Sequence, residues 1–259
     1  MNIPYTGITG ITSLEERIGV SRFDAPSGRL IMAGVLVSRK TLDGEPAGNP
    51  KRYPAITGVS NTLVDKPGFL NMIHYNTDRP ETLKAQLQTL EYKIGGVCNG
   101  YQLNILWPNP RALECIDPSK RIVLQIKEQS IITCNGDRME VAARLQEYER
   151  VTDVLFDLSG GSGKLIEPLI ARLYLNAIRN LSPTIGIGVA GRLSAQTLPL
   201  IASLIRDFPD LSWDAESGLR TNDILDFTKV QEYLTESRNI LAANADAVEP
   251  ETDDSWCVS

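Results

Sequence analysis

The sequence predicts a single-domain α/β fold, a (β/α)8 TIM barrel. Three observations predict it. The chain has 259 residues, the span such a barrel takes as one domain. Eight short runs rich in Val, Ile and Leu punctuate it, and amphipathic stretches separate them, which is the pattern of βα units around a parallel sheet.

The expected strands are Tyr5 to Thr9, Leu30 to Val37, Phe69 to His74, Tyr101 to Trp107, Ile122 to Ile126, Val154 to Leu158, Ile185 to Val189 and Leu211 to Ala215. Ser13 with Glu16 is a capping-box signature for a first helix, and Pro80 opens another ahead of Leu83, Leu87 and Leu90. Pro108, Pro110 and Pro118 leave room only for a short or irregular element after Trp107. Apolar residues at 165, 166, 169, 170, 173, 177 and 178 predict a helix over Leu165 to Ile178, with Pro168 near its start where a proline does least harm. A last helix is expected over about Asp226 to Ala242.

Residues 1–242 are thus assigned to the barrel. Two segments read differently from the scaffold. Residues 38–68, rich in Gly, Pro and charge, are expected to form a long loop over the barrel mouth. Residues 243–259 carry Asp246, Glu249, Glu251, Asp253 and Asp254 with no basic residue, and are expected to be a solvated, disordered tail.

Composition narrows the function classes. The formal net charge of −6 repels polyanions, so nucleic acid is not an expected partner. No apolar run reaches the roughly 18 residues of a membrane span, and the start of the chain has no signal-peptide pattern, so a cytoplasmic protein is expected. Cys98, Cys115, Cys134 and Cys257 form no CxxC pair and His74 is the sole histidine, so neither a zinc site nor any other metal or cofactor is expected. The oligomeric state is not legible.

The densest chemical signal is FDLSGGSGK, Phe156 to Lys164. An apolar strand ends in Asp157 and a glycine-rich loop follows into a helix, so free backbone N–H groups face one crevice, although the spacing is not that of a P-loop. A flexible turn with Asp157 orienting the helix would read the same way. VAGRL (Val189 to Leu193) and DAESGLR (Asp214 to Arg220) place further glycine turns after the next two strands, where barrels commonly bind phosphate. Ordinary tight turns are the bland alternative. His74 ends the third strand, where alternation could aim it inward or outward; a packed wall residue is its default role.

In order along the chain, TGITGITSLEE (Thr6 to Glu16), NPKRYP (Asn49 to Pro54), NMIHYNTDRPETL (Asn71 to Leu83), YQLN (Tyr101 to Asn104), FDLSGGSGK, VAGRL, WDAESGLR and LDFTK (Leu225 to Lys229) resemble the motifs of the phosphoribosylanthranilate isomerase family. That family comprises (β/α)8 enzymes which perform an Amadori rearrangement in tryptophan biosynthesis. The resemblance implies a small phosphorylated metabolite as partner. It implies Asp157 as general acid toward the ribose ring oxygen and Arg52 as the clamp for a substrate carboxylate. It also implies a phosphate site from Gly161, Ser162, Gly163, Gly191, Arg192, Leu193, Ser217 and Gly218.

The departures are equally specific. Thr9 stands where the family has its cysteine base, and a threonine hydroxyl has no ionised form near neutral pH without a partner base. Arg192 replaces a glycine, and Glu216 replaces the first serine of SSG; Arg192, on the adjacent loop, is the expected counter-charge for Glu216. The implied activity is that of an isomerase acting on a phosphorylated ribose derivative. The alternative is a phosphosugar-binding or regulatory protein that has lost its base.

Overall fold

The computed structural model describes residues 2–45, 49–158 and 164–246. Eight parallel strands close into a barrel in sequence order: β1 (Tyr5–Thr9), β2 (Leu30–Ser38), β3 (Phe69–Asn76), β4 (Gly100–Leu103), β5 (Arg121–Ile126), β6 (Asp153–Phe156), β7 (Gly186–Val189) and β8 (Ser212–Ala215). Closure is made by β1 against β8, with Thr6 opposite Trp213 and Gly7 opposite Asp214. Every expected strand is present. The fourth stops at Leu103, short of Trp107, where the chain bends and Trp107 takes a left-handed φ of 37°.

The helices are α1 (Leu14–Val20), α2 (Arg39–Leu42), α3 (Ile56–Thr62), α4 (Leu83–Ile94), α5 (Glu128–Ile132), α6 (Arg138–Leu145), α7 (Pro168–Leu181), α8 (Ala202–Asp207) and α9 (Phe227–Asp246). At α1, Ser13 Oγ accepts the Glu16 N–H at 3.2 Å, but the Glu16 carboxylate returns one residue early, to the Thr12 N–H at 2.8 Å. After Trp107 there is only a 3-10 turn over Pro110–Cys115, as the prolines dictate. Pro168 is the first residue of α7, so Leu165 and Ile166 precede the helix, and Leu169 and Leu173 of the expected stripe point to solvent. The barrel-facing residues are Ala171, Tyr174, Leu175, Ala177 and Ile178.

Segment 38–68 is not wholly loop, since α2 and α3 lie within it. Buried Arg17 of α1 ties it down by donating to the Val64 carbonyl at 2.7 Å. Of the expected tail, residues 243–246 continue α9, and the remainder lies outside the described residues.

Side-chain alternation divides each strand between two cores. The outward set, such as Ile8, Val35, Ile73, Tyr101 and Trp213, packs under the helices. The inward set changes character with height. Low in the barrel, Arg121 and Asp153 form a buried ion pair, with Arg121 Nε donating to Asp153 Oδ2 at 2.7 Å. Above them Tyr5, Met32, Leu70, Met72, Val123, Leu155 and Ala190 fill the middle. At the C-terminal rim the same inward positions become Thr9, His74, Gln102, Gln125, Asp157 and Asp214, a ring of buried polar residues.

Candidate active site at the barrel mouth

Those rim residues line a cavity of about 310 Å³ that also receives Arg52, Tyr53, Asn104, Gly191, Arg192, Glu216 and Ser217. A site at the C-terminal ends of the strands is where such barrels place their chemistry.

Asp157 follows β6 directly and is buried; the Gln125 amide donates to its Oδ2 at 2.7 Å. Asp214, on β8, lines the same mouth two strands on. The Thr9 hydroxyl donates to Asp214 Oδ1 at 2.7 Å. Burial first, and then the negative charges of Glu216 and Asp157, push the Asp214 carboxyl up to about 8, against the downward pull of the Thr9 hydrogen bond. Asp214 therefore carries its proton at neutral pH.

His74 stands beside this pair and faces inward. Its Nε2 is 3.5 Å from Thr9 Oγ1, and its Nδ1 is 3.1 Å from the Gln102 amide nitrogen. Complete burial holds the imidazole down at about 3, so it is neutral. With the Gln102 amide donating to Nδ1, the Nε2 proton faces Thr9, and all donors run one way, from Gln102 to His74 to Thr9 to Asp214. Missing Cβ atoms make the approach feasible: one on Gly34 would sit 2.7 Å from Thr9 Oγ1 and 2.8 Å from His74 Nε2, and one on Gly7 would sit 2.4 Å from Asp214 Oδ1.

The expected pairing of Glu216 with Arg192 is not found. Arg52 takes that place, with Nε and Nη2 both donating to Glu216 Oε1, the first at 2.8 Å. The loop around Arg52 folds over the mouth because Asn49 contacts Asp223 at 3.3 Å and Tyr53 accepts from Asn76 at 3.2 Å. Burial lowers the affinity of Arg52 for its proton, but the Glu216 contact outweighs this and the net shift is upward. Arg192, at a left-handed φ of 51°, is instead exposed, with no ion pair among the described residues.

Of the residues expected to bind phosphate, Gly191, Arg192 and Ser217 line the cavity. Gly218 lines an adjoining hollow with Arg192, Ser194, Ser217 and Lys229. Leu193 is fully buried beneath, and Gly161, Ser162 and Gly163 lie outside the described residues. Asp214, Gln102 and Gln125 were not singled out from sequence. Their signal was parity: each lies an even number of residues beyond a buried inward position on its own strand.

No group of His, Cys, Asp and Glu among the described residues could hold a metal ion. No helix among them is long and apolar enough to cross a membrane.

No protein-family model matches the sequence, and no curated protein does. Solved structures do match. Phosphoribosyl anthranilate isomerase from Thermus thermophilus superposes with a TM-score of 0.64 at 16% identity, covering 91% of this chain and 99% of that one. The N-(5'-phosphoribosyl)anthranilate isomerase of Pyrococcus furiosus gives 0.60 at 18%, covering 91% and 99%. A phosphoribosyl anthranilate isomerase in complex with reduced 1-(o-carboxyphenylamino)-1-deoxyribulose 5-phosphate gives 0.59 at 15%, covering 92% and 100%. These likenesses show a shared barrel fold.

Proposed function

We propose that the mouth binds a phosphorylated ribose derivative and catalyses an Amadori-type isomerisation. The observation that carries this reading is that two buried carboxyls, Asp157 and Asp214, line one cavity in different hydrogen-bonding environments, one held by Gln125 and the other by Thr9. Carboxyls set apart in this way are the usual means of separating acid and base duties.

In the proposed sequence Asp157 gives its proton to the ribose ring oxygen and the C1–oxygen bond breaks as the lone pair of the C1 substituent forms the open-chain iminium from a C1 amine, or the open-chain aldehyde from a C1 hydroxyl. Asp214, in the carboxylate form it takes as pH rises through about 8, removes the proton from C2, and the enol so formed tautomerises to the ketose. Thr9 thus stands in the base's position as the partner of a base on the next strand, supplying the hydrogen bond that keeps Asp214 Oδ1 oriented. Gly191, Arg192 and Ser217 would hold the phosphate, with Gly161, Ser162 and Gly163 joining them from the β6 loop. No cofactor is required.

The test uses ribose 5-phosphate in D2O, with loss of the C2 proton followed by NMR and affinity by calorimetry. The wild type is expected to exchange that proton, and Asp157→Asn and Asp214→Asn each to slow exchange by about 10²–10⁴-fold while still binding. Binding without exchange in the wild type would favour the second reading, a phosphosugar-binding protein, which the absence of the family's cysteine at Thr9 supports. Failure to bind would remove both.

A further inference from the structure

The mouth is electrically lopsided. Among the described residues that line it, the cations are Arg52 and Arg192. Arg192 stands at the turn beside Gly191 and opens onto the adjoining hollow that Lys229 also lines, so that end suits an anion. The same cavity also holds the carboxyls of Asp157, Asp214 and Glu216.

Arg52 does not redress this balance, because its charge is already offset by Glu216 on one guanidinium edge. Its Nε and Nη2 are the two nitrogens of one guanidinium edge, and both reach the same oxygen, Glu216 Oε1. A planar carboxylate takes either that edge or the Nη1–Nη2 edge, and on the latter it would share a guanidinium whose charge Glu216 already offsets. Glu216 Oε2 has no hydrogen-bond partner among the described residues, and its side chain keeps 24% exposure at the cavity wall, so it remains an acceptor for whatever enters.

We infer that Glu216 acts as a built-in occupant of the Arg52 edge, so that the ligand of this mouth is a sugar phosphate bearing no carboxylate where it meets Arg52, and presenting hydroxyls or an amine there instead. This rests on the phosphosugar reading of the mouth. A ligand carboxylate at Arg52 would either displace Glu216, leaving a half-buried charge near Asp214, or take the remaining guanidinium edge within range of the Glu216 charge. A hydroxyl or ammonium donates to Glu216 Oε2 with no ion pair broken.

The experiment is calorimetry on the full chain with two probes that differ at C1: ribose 5-phosphate, and 5-phosphoribonate with a carboxylate there. Wild type is expected to prefer ribose 5-phosphate by about tenfold or more. Glu216→Gln frees the arginine and should close or reverse that preference. The double variant Glu216→Gln/Arg52→Gln should lose the gain for 5-phosphoribonate, which separates an arginine effect from a general loosening of the rim. Wild type binding both probes equally, or an unchanged ratio in Glu216→Gln, overturns the inference and leaves the phosphosugar reading standing. If neither probe binds any of the three proteins, both fall together.

Discussion

Across the seam where the barrel closes, the hydroxyl of Thr9 on the first strand donates a 2.7 Å hydrogen bond to Asp214 on the eighth. The bond favours the charged form of an acid that burial otherwise keeps protonated. Thr9→Val keeps the shape and removes the donor. The rising limb of C2 exchange against pH, centred near 8 in the wild type, should move to higher pH in Thr9→Val and stay in place in Thr9→Ser. An unmoved limb in the valine variant would show that Thr9 does not tune this acid.

Asp214 and His74 act on stability in opposite directions. The Asp214 carboxyl is raised from 3.8 to about 8, so the stability it contributes is complete at low pH and is lost as pH climbs through that window. His74 is lowered from 6.5 to about 3, so its contribution is complete above 6.5 and is lost on acidification. Between about 4 and 6.5 the two slopes cancel. Denaturant melts should therefore show wild type flat across that interval and losing stability from 6.5 to 8, whereas Asp214→Asn should hold its stability above 6.5. Parallel profiles for the two proteins above 6.5 would refute the assignment.

Arg192 holds a left-handed φ of 51° that a side chain disfavours. Arg192→Gly should relieve about 1 kcal/mol of backbone strain and raise the Tm. The same change should weaken ribose 5-phosphate binding about tenfold, the loss of one charge-assisted contact. A gain in Tm without any loss of affinity would place Arg192 outside the phosphate site.

Gly34 tests how closely the rim is packed. A methyl there would lie 2.7 Å from Thr9 Oγ1 and 2.8 Å from His74 Nε2, so Gly34→Ala should cost about 1–3 kcal/mol by overpacking and should disrupt the Thr9–Asp214 contact. Thermal melts and the exchange assay should fall together. An unperturbed melt would mean the rim has slack.

Much of the architecture was legible because short Val-, Ile- and Leu-rich runs alternating with amphipathic stretches mark βα units strongly. Helix α3 was not, since ITGVSNT has β-branched residues and a glycine; it is the burial of Val59 and Thr62 that holds it. The Arg192–Glu216 pairing failed because sequence neighbourhood on adjacent loops says nothing of backbone hand: the left-handed turn leaves Arg192 exposed, and the folded-over loop delivers Arg52 instead. Asp214 was read as part of a turn although Glu216, two residues on and of the same parity, was singled out as a site residue. A carboxylic acid that faces inward one step below a candidate ligand contact is a signal in its own right.

The inward alternation that turns from apolar to polar up the barrel has an evolutionary consequence. The positions that hold the strands under their helices and the positions that line the mouth are almost disjoint sets, sharing Tyr75 at the rim and otherwise alternating along the strands. A substitution in the second set leaves the ladder and the outer packing untouched, so chemistry can drift residue by residue while the scaffold stays fixed. That is how a barrel can superpose over 91% of this chain on an enzyme with which it shares 16% of its residues.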